Sequence, residues 1–197
     1  MKISGYVSQV ILGLSFSLLF ISNLAARDIA DISFNEQISV ESVEKPLLLN
    51  GAGIRYKFFF KIYVGALYLP AKQNSANQIL KTSQANRVVM HFLHDEVEKE
   101  KLVNAWIEGF EENIEETAFK ALKDRLDKFN AMFSDVYKGD VVLLDYIPGQ
   151  GTRVTIKGAQ KGIIKGEDFN QALLSVWLGE EPVTDELKDA MLGIEEE

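Results

Sequence analysis

The stretch bounded by Pro46 and Pro70, PLLLNGAGIRYKFFFKIYVGALYLP, leaves the chain few choices. From Tyr56 to Tyr68 every even position is apolar or aromatic (Tyr56, Phe58, Phe60, Ile62, Val64, Ala66, Tyr68), while the odd positions mix Lys57 and Lys61 with Phe59, Tyr63, Gly65 and Leu67. A period of two marks a strand whose successive side chains point to opposite faces. One face is expected to be fully buried and the other partly covered. Leu47 to Leu49 form a shorter apolar run, and Asn50-Gly51-Ala52-Gly53 has turn chemistry, so the two runs are expected to pair across a bend at 50–53. Arg55 then falls just past that bend, at the mouth of a sheet. It suits an anion site there, and it equally suits a structural arginine paired with a surface acid.

A chain of 197 residues is long enough for one good core, and one domain is expected. The formal charge of -8 and the pI near 4.9 argue against a nucleic-acid or anionic-membrane partner, both of which need a positive field to attract phosphate. The absence of cysteine removes disulfides, thiolate metal sites and thiol nucleophiles together. At the N-terminus, Lys2 precedes an apolar run from Val10 to Ile21 and the small-residue patch Asn23-Leu24-Ala25-Ala26. This pattern reads as a secretory signal peptide over residues 1–26, a mature domain over 27–197 and a periplasmic address, with no stable membrane span after cleavage. The alternative is a retained anchor from Val7 to Ala26. Ser15, Ser17 and Ser22 interrupt that run, and a span needs about 20 predominantly apolar residues.

Asp28 to Val43 alternates loosely, as one or two short strands would. Beyond Pro70 come a short helix around Ser75 to Ser83 and a strand, Asn86 to His94, apolar on both faces. Asp95 and Glu98 resemble a capping box opening a helix with a stripe of Val103, Ile107, Phe110 and Ile114 and with Trp106 on its flank. Phe119, Leu122, Leu126, Phe129 and Phe133 make the stripe of a second helix. Both stripes need a sheet to cover them, and the even face of the central strand is the candidate. Strands at Val141 to Ile147, Thr152 to Lys157 and Gly162 to Lys165 follow at antiparallel spacing, then helices at Asp168 to Leu178 and Thr184 to Leu192, the latter capped by Thr184. The expectation is an α+β domain with a large antiparallel sheet and its helices mainly on one side.

Most candidate chemistry fails on inspection. Tyr56 stands where a dinucleotide fingerprint needs its third glycine, and a strand follows instead of a helix. His91 and His94 are the only histidines, and a spacing of three on a strand points them to opposite faces, so no shared metal is expected. No Gly-x-Ser-x-Gly elbow occurs. The acid pairs Glu111-Glu112, Glu115-Glu116 and Glu180-Glu181 read as solvated surface rather than as an enclosed acid and base.

The combination LNGAGIR then KFFFKIYVGALYL, the strand Val88 to Leu93, the helix motif Glu98-x-x-x-Leu102-Val103-Asn104-Ala105-Trp106, the strand pair Asp140 to Gly158 and the helix Phe169 to Gly179 ending Trp-Leu-Gly resembles the chalcone isomerase superfamily, in particular its bacterial, secreted chalcone isomerase-like branch. The resemblance covers most of the mature chain. It implies an open-faced β-sandwich, a large antiparallel sheet with helices on one side and a ligand cleft between. Arg55 matches the arginine that holds substrate oxygen in the plant isomerases, and Asn104 matches an asparagine lining their cleft. Tyr63 falls at a threonine of the central strand, Val97 at the catalytic tyrosine and Asn170 at a serine or threonine of a late helix. Two groups that polarise the ketone are thus lost or changed. The resemblance therefore implies a non-catalytic periplasmic binder of an apolar carboxylate such as a fatty acid, with Arg55, Tyr63, Asn104 and Asn170 as ligand contacts and with no cofactor or metal. Two alternatives stay open: an isomerase or intramolecular lyase acting on a chalcone-like unsaturated ketone, and a structural envelope protein whose vestigial cleft is packed shut.

Overall fold

The computed structural model describes residues 26–194, so all but the last residue of the leader expected over 1–26, and the acidic end 195–197, lie outside the described residues. The elements are β1 (Ala26–Ile29), β2 (Ile32–Asn35), β3 (Gln37–Ile38), β4 (Leu47–Lys57), β5 (Phe60–Leu69), α1 (Ala76–Leu80), β6 (Asn86–Phe92), β7 (Glu96–Val97), α2 (Lys99–Asn113), α3 (Glu116–Asn130), β8 (Val136–Tyr137), β9 (Val141–Ile147), β10 (Gly151–Ile156), β11 (Ala159–Ile164), α4 (Glu167–Leu178) and α5 (Asp185–Leu192). Seven strands form one antiparallel sheet in the order β11-β10-β9-β6-β5-β4-β3, with β1-β2 and β7-β8 as separate pairs. No described helix is long and apolar enough to cross a membrane.

The bend expected at 50–53 is absent. β4 runs straight through the glycines to Lys57, and the chain reverses at Phe58-Phe59, with Lys57 opposite Phe60. Gly51 and Gly53 serve close approach instead of turning. A Cβ on Gly51 would lie 2.0 Å from the Ala190 carbonyl oxygen, and one on Gly53 would lie 2.5 Å from the Ala190 Cβ, so their missing side chains let α5 lie on the strand. A second turn is tighter than its sequence suggested. Lys157 and Gly158 both take positive φ, as a two-residue hairpin of this twist requires, and β11 starts at Ala159 instead of Gly162.

From Tyr63 onward the helices cover the odd face of β5, and not the even one; Ile62, left unpaired where the register slips, also lies on the helical side. Tyr63, Leu67 and Leu69 share a core with Leu102, Trp106 and Phe110 of α2, Leu122 and Phe129 of α3, and Leu173 and Trp177 of α4. The even residues Val64, Ala66 and Tyr68 pack with Leu47, Leu49, Phe34 and Val40 in a second, smaller core under the N-terminal strands. Period two alone cannot say which face meets helices, because here both are buried. On α2 the buried stripe is Leu102, Trp106, Gly109 and Phe110, placing Trp106 at the centre of an aromatic group with Phe129, Phe133 and Trp177. The capping box is absent too: α2 begins at Lys99, whose N–H donates to Asp135 Oδ1 at 2.7 Å, because Glu96 and Val97 are drawn into a strand pair with β8. Thr184 caps α5 as expected, accepting from the Leu187 N–H at 3.3 Å.

Candidate functional site

Arg55 reaches the helical side because of one extra residue. Leu49 pairs with Tyr68 and Gly51 with Leu67, leaving Asn50 as a bulge. Before the bulge Leu47 and Leu49 face the smaller core; after it Gly51, Gly53 and Arg55 face the helices. A bulge reverses the alternation of a strand and so re-aims every side chain beyond it. Asn50 is held there by its own amide, which donates to the carbonyls of Met191 (2.8 Å) and Gln73 (3.0 Å) and accepts from the Gln73 N–H (2.7 Å).

Arg55 and Tyr63 are direct cross-strand partners, with the guanidinium carbon 5.8 Å from the centre of the phenol ring. Arg55 is half-buried and enters none of the ion pairs among the described residues. Its Nε is fully buried and has no hydrogen-bond partner. A buried donor left in this state is costly, which makes it a position where an acceptor binds favourably. Tyr63 is buried, and its hydroxyl accepts from Trp177 Nε1 at 2.9 Å. Burial raises the phenol's pKa against the opposing influences of Arg55 and the Trp177 hydrogen bond, so Tyr63 stays protonated and keeps its own hydrogen to donate.

Two hollows meet at Arg55. One, of about 260 Å³, runs between the β4–β5 hairpin and α2, walled by Phe58, Phe60, Ile62, Tyr63, Val97, Leu102 and Ala105, with Lys57, His94, Glu96 and Lys101 also in its lining. The other, of about 360 Å³, is edged by the acids Glu108, Glu112 and Glu181. The two share Arg55 and Lys57, but three acids edge the second, while the first adds Lys101 against a single acid, Glu96, and has the more apolar walls. A larger hollow of about 580 Å³ lies at the far end of β4, lined mainly by polar groups including Arg27, Asn50, Lys72 and Gln73, with Leu192 and Ile194 as its larger apolar side chains.

The expected contacts divide. Arg55 and Tyr63 come together in the 260 Å³ hollow, and Val97 lines it as well. Asn104 is exposed on α2 and lines neither hollow at Arg55. Asn170 is buried in α4, away from both, with its Nδ2 unpartnered. The apolar residues that α2 contributes to the 260 Å³ hollow are Leu102 and Ala105, three apart and therefore on one face. Placing the buried stripe on Leu102 and Trp106 would have identified them. His94, beyond the end of β6, meets Phe60 edge-on at 5.5 Å between ring centres. No group of three or more metal-ligating side chains occurs among the described residues.

The family model described as chalcone isomerase-like matches residues 26–193. The chain belongs to the chalcone isomerase-like family. A crystal structure of a fatty-acid binding protein from Arabidopsis thaliana superposes on this chalcone isomerase-like domain with a TM-score of 0.63 at 16% identity, over 85% of this chain and 96% of that one. At that identity the likeness is one of fold. No curated protein sequence matches the chain.

Proposed function

We propose that this chalcone isomerase-like protein is a non-catalytic binder of an apolar carboxylate, fatty-acid-like in chemistry, held in the hollow beside Arg55. The observation that carries this reading is the buried, unpartnered Nε of Arg55 at the wall of an apolar cavity. A carboxylate there accepts from the guanidinium in a bidentate manner, and the neutral Tyr63 hydroxyl offers a further donor. Charge-assisted hydrogen bonds contribute about 1.5–3 kcal/mol and each buried methylene about 0.8 kcal/mol. A hollow of about 260 Å³ is at the small end for a ligand site, so it holds the head and first part of a long chain or the whole of a short one. The Arabidopsis thaliana protein of the same fold is a fatty-acid binding protein, which supports the reading. The N-terminal apolar segment favours a periplasmic site of action.

The test is native mass spectrometry of delipidated protein with added palmitate. Arg55→Ala is expected to weaken binding about tenfold or more, the equivalent of losing roughly 1.5–3 kcal/mol. Equal binding by both proteins removes Arg55 from the site and the reading with it. The isomerase alternative gives Arg55 the task of stabilising a developing oxyanion. It displaces the binder if a chalcone turns over above its spontaneous rate and Arg55→Ala abolishes that turnover. The hollow beside Arg55 counts against a cleft packed shut.

A further inference from the structure

The turn between β4 and β5 places aromatic rings where a soluble hairpin ordinarily carries polar residues. Phe58 and Phe59 are 87% and 81% exposed, the most exposed large apolar side chains among the described residues. Phe60, at 48%, is partly held down by His94. Phe58 also takes φ +57°, a left-handed conformation that glycine or asparagine occupies at far lower cost. The chain thus tolerates both an unfavourable backbone and two solvated phenyl rings at a single protrusion: Phe59 leans on Phe60, 4.5 Å between ring centres, yet Phe58 and Phe59 both stay largely exposed.

We infer that this tip docks on a lipid bilayer, with Phe58 and Phe59 entering the interface and Lys57 and Lys61 meeting lipid phosphates. Lys57 and Lys61 flank the rings, are exposed, and form no ion pair among the described residues. Aromatic rings bracketed by lysines whose stems can lie along the apolar layer are the chemistry of an interfacial anchor. Size and shape favour the same occupant. Two rings on a two-residue turn offer far less than the roughly 800 Å² that each partner gives a stable protein interface. A convex tip also needs a matching socket in a protein partner, whereas a bilayer conforms to it. The formal charge of -8 on the whole chain opposes long-range attraction to an anionic surface. It acts weakly at contact, since charges beyond a screening length of about 8 Å are largely masked. Phe58 and Phe60 also line the hollow beside Arg55, so the tip sets the mouth of that hollow at the lipid surface. The docking itself does not depend on which ligand the hollow takes.

The test uses the full chain carrying Phe59→Trp. Trp106 and Trp177 are buried, at 3% and 0% exposure, so the new indole is the one that senses its surroundings. Vesicles of phosphatidylethanolamine with a minor share of phosphatidylglycerol are expected to shift its emission to the blue, and brominated acyl chains are expected to quench it. The readout is local to the turn, so a retained N-terminal apolar segment cannot mimic it. Adding Phe58→Ser should raise the lipid concentration needed about tenfold, and Lys61→Gln should weaken binding and flatten its salt dependence. Emission that stays that of a solvated indole and is not quenched overturns the proposal. A blue shift produced by raising protein concentration without lipid also overturns it, assigning the tip to a second copy. Phe59→Ser, which lines no hollow at Arg55, should lose the vesicles and keep its palmitate affinity in solution, so failure here is distinct from failure of the ligand reading.

Discussion

Asn50 occupies the extra position in β4, and its amide ties that strand to the C-terminal end of α5 and to the segment after β5. An apolar residue there would leave the carbonyls of Met191 and Gln73 and the Gln73 N–H without those partners. Asn50→Ala is expected to destabilise the fold by about 1–3 kcal/mol in urea unfolding. It should also weaken palmitate binding, because the bulge is what turns Arg55 toward the helices. Stability falling while palmitate affinity holds would show that the strand keeps its bulge without the amide. Tyr68, on the opposite face, donates to the Asn35 carbonyl at 3.0 Å and so ties the central strand to the N-terminal layer.

At the scale of elements, one row of side chains crosses the sheet on the face away from the helices. Tyr68 of β5, Arg87 of β6, Asp145 of β9 and Arg153 of β10 are successive cross-strand neighbours. Asp145 is 1% exposed and accepts from both arginines: from Arg87 through Nε and through Nη2 at 2.9 Å, and from Arg153 Nη2 at 3.2 Å. Arg153 also reaches Glu41, at 3.3 Å, in the segment joining β3 to β4. Replacing one member of such a cluster strands the others without their counter-charge. Asp145→Ala is expected to lower stability by about 3–5 kcal/mol at neutral pH, read from urea midpoints. A loss below about 1 kcal/mol would mean that water reaches the two guanidinium groups easily and that the row contributes little.

For the molecule as a whole, buried phenols set an alkaline limit. Burial pushes Tyr68 from the ordinary 10.0 up to about 12, with Arg87 opposing and Glu36 assisting, and Tyr63 is raised in the same direction, also chiefly by burial. The folded protein therefore keeps protons that the unfolded chain releases. That contribution is complete below pH 10 and is lost as pH climbs from about 10 toward about 12. Unfolding midpoints should hold steady through neutral pH and fall above about pH 10, and Tyr68→Phe should remove part of that slope. An identical alkaline slope in the variant would place the effect elsewhere. At the acid end, Asp168 is held low chiefly by its hydrogen bond from Arg125. Burial pushes the Asp140 carboxyl up, but bonds from Lys157 and the Tyr137 N–H together hold it low. Their contribution is present above the usual carboxylate range and is lost as pH falls through and below it.

The sequence by itself determined the class of fold and most of the elements, and it singled out Arg55, the residue on which the proposed site rests. Alternation along β5, the stripe on α3, the Thr184 cap and the resemblance around Arg55 are all local patterns, each set by residues within a few turns or a single strand. Tertiary structure decided which face of β5 the helices cover, since both faces are apolar and only packing breaks the tie. It decided that Gly51 and Gly53 admit α5 instead of turning the chain, because a glycine's lack of a side chain serves either purpose. It separated Arg55 and Tyr63, which share one hollow, from Asn104 and Asn170, which lie outside it: Asn104 because the rotation of α2 about its own axis sets which of its side chains meet the sheet, and Asn170 because α4 buries it elsewhere. The aromatic tip was visible as letters and unreadable as a surface: Phe58 and Phe59 fit an apolar alternation, and only the reversal of the chain at that point puts both in solvent.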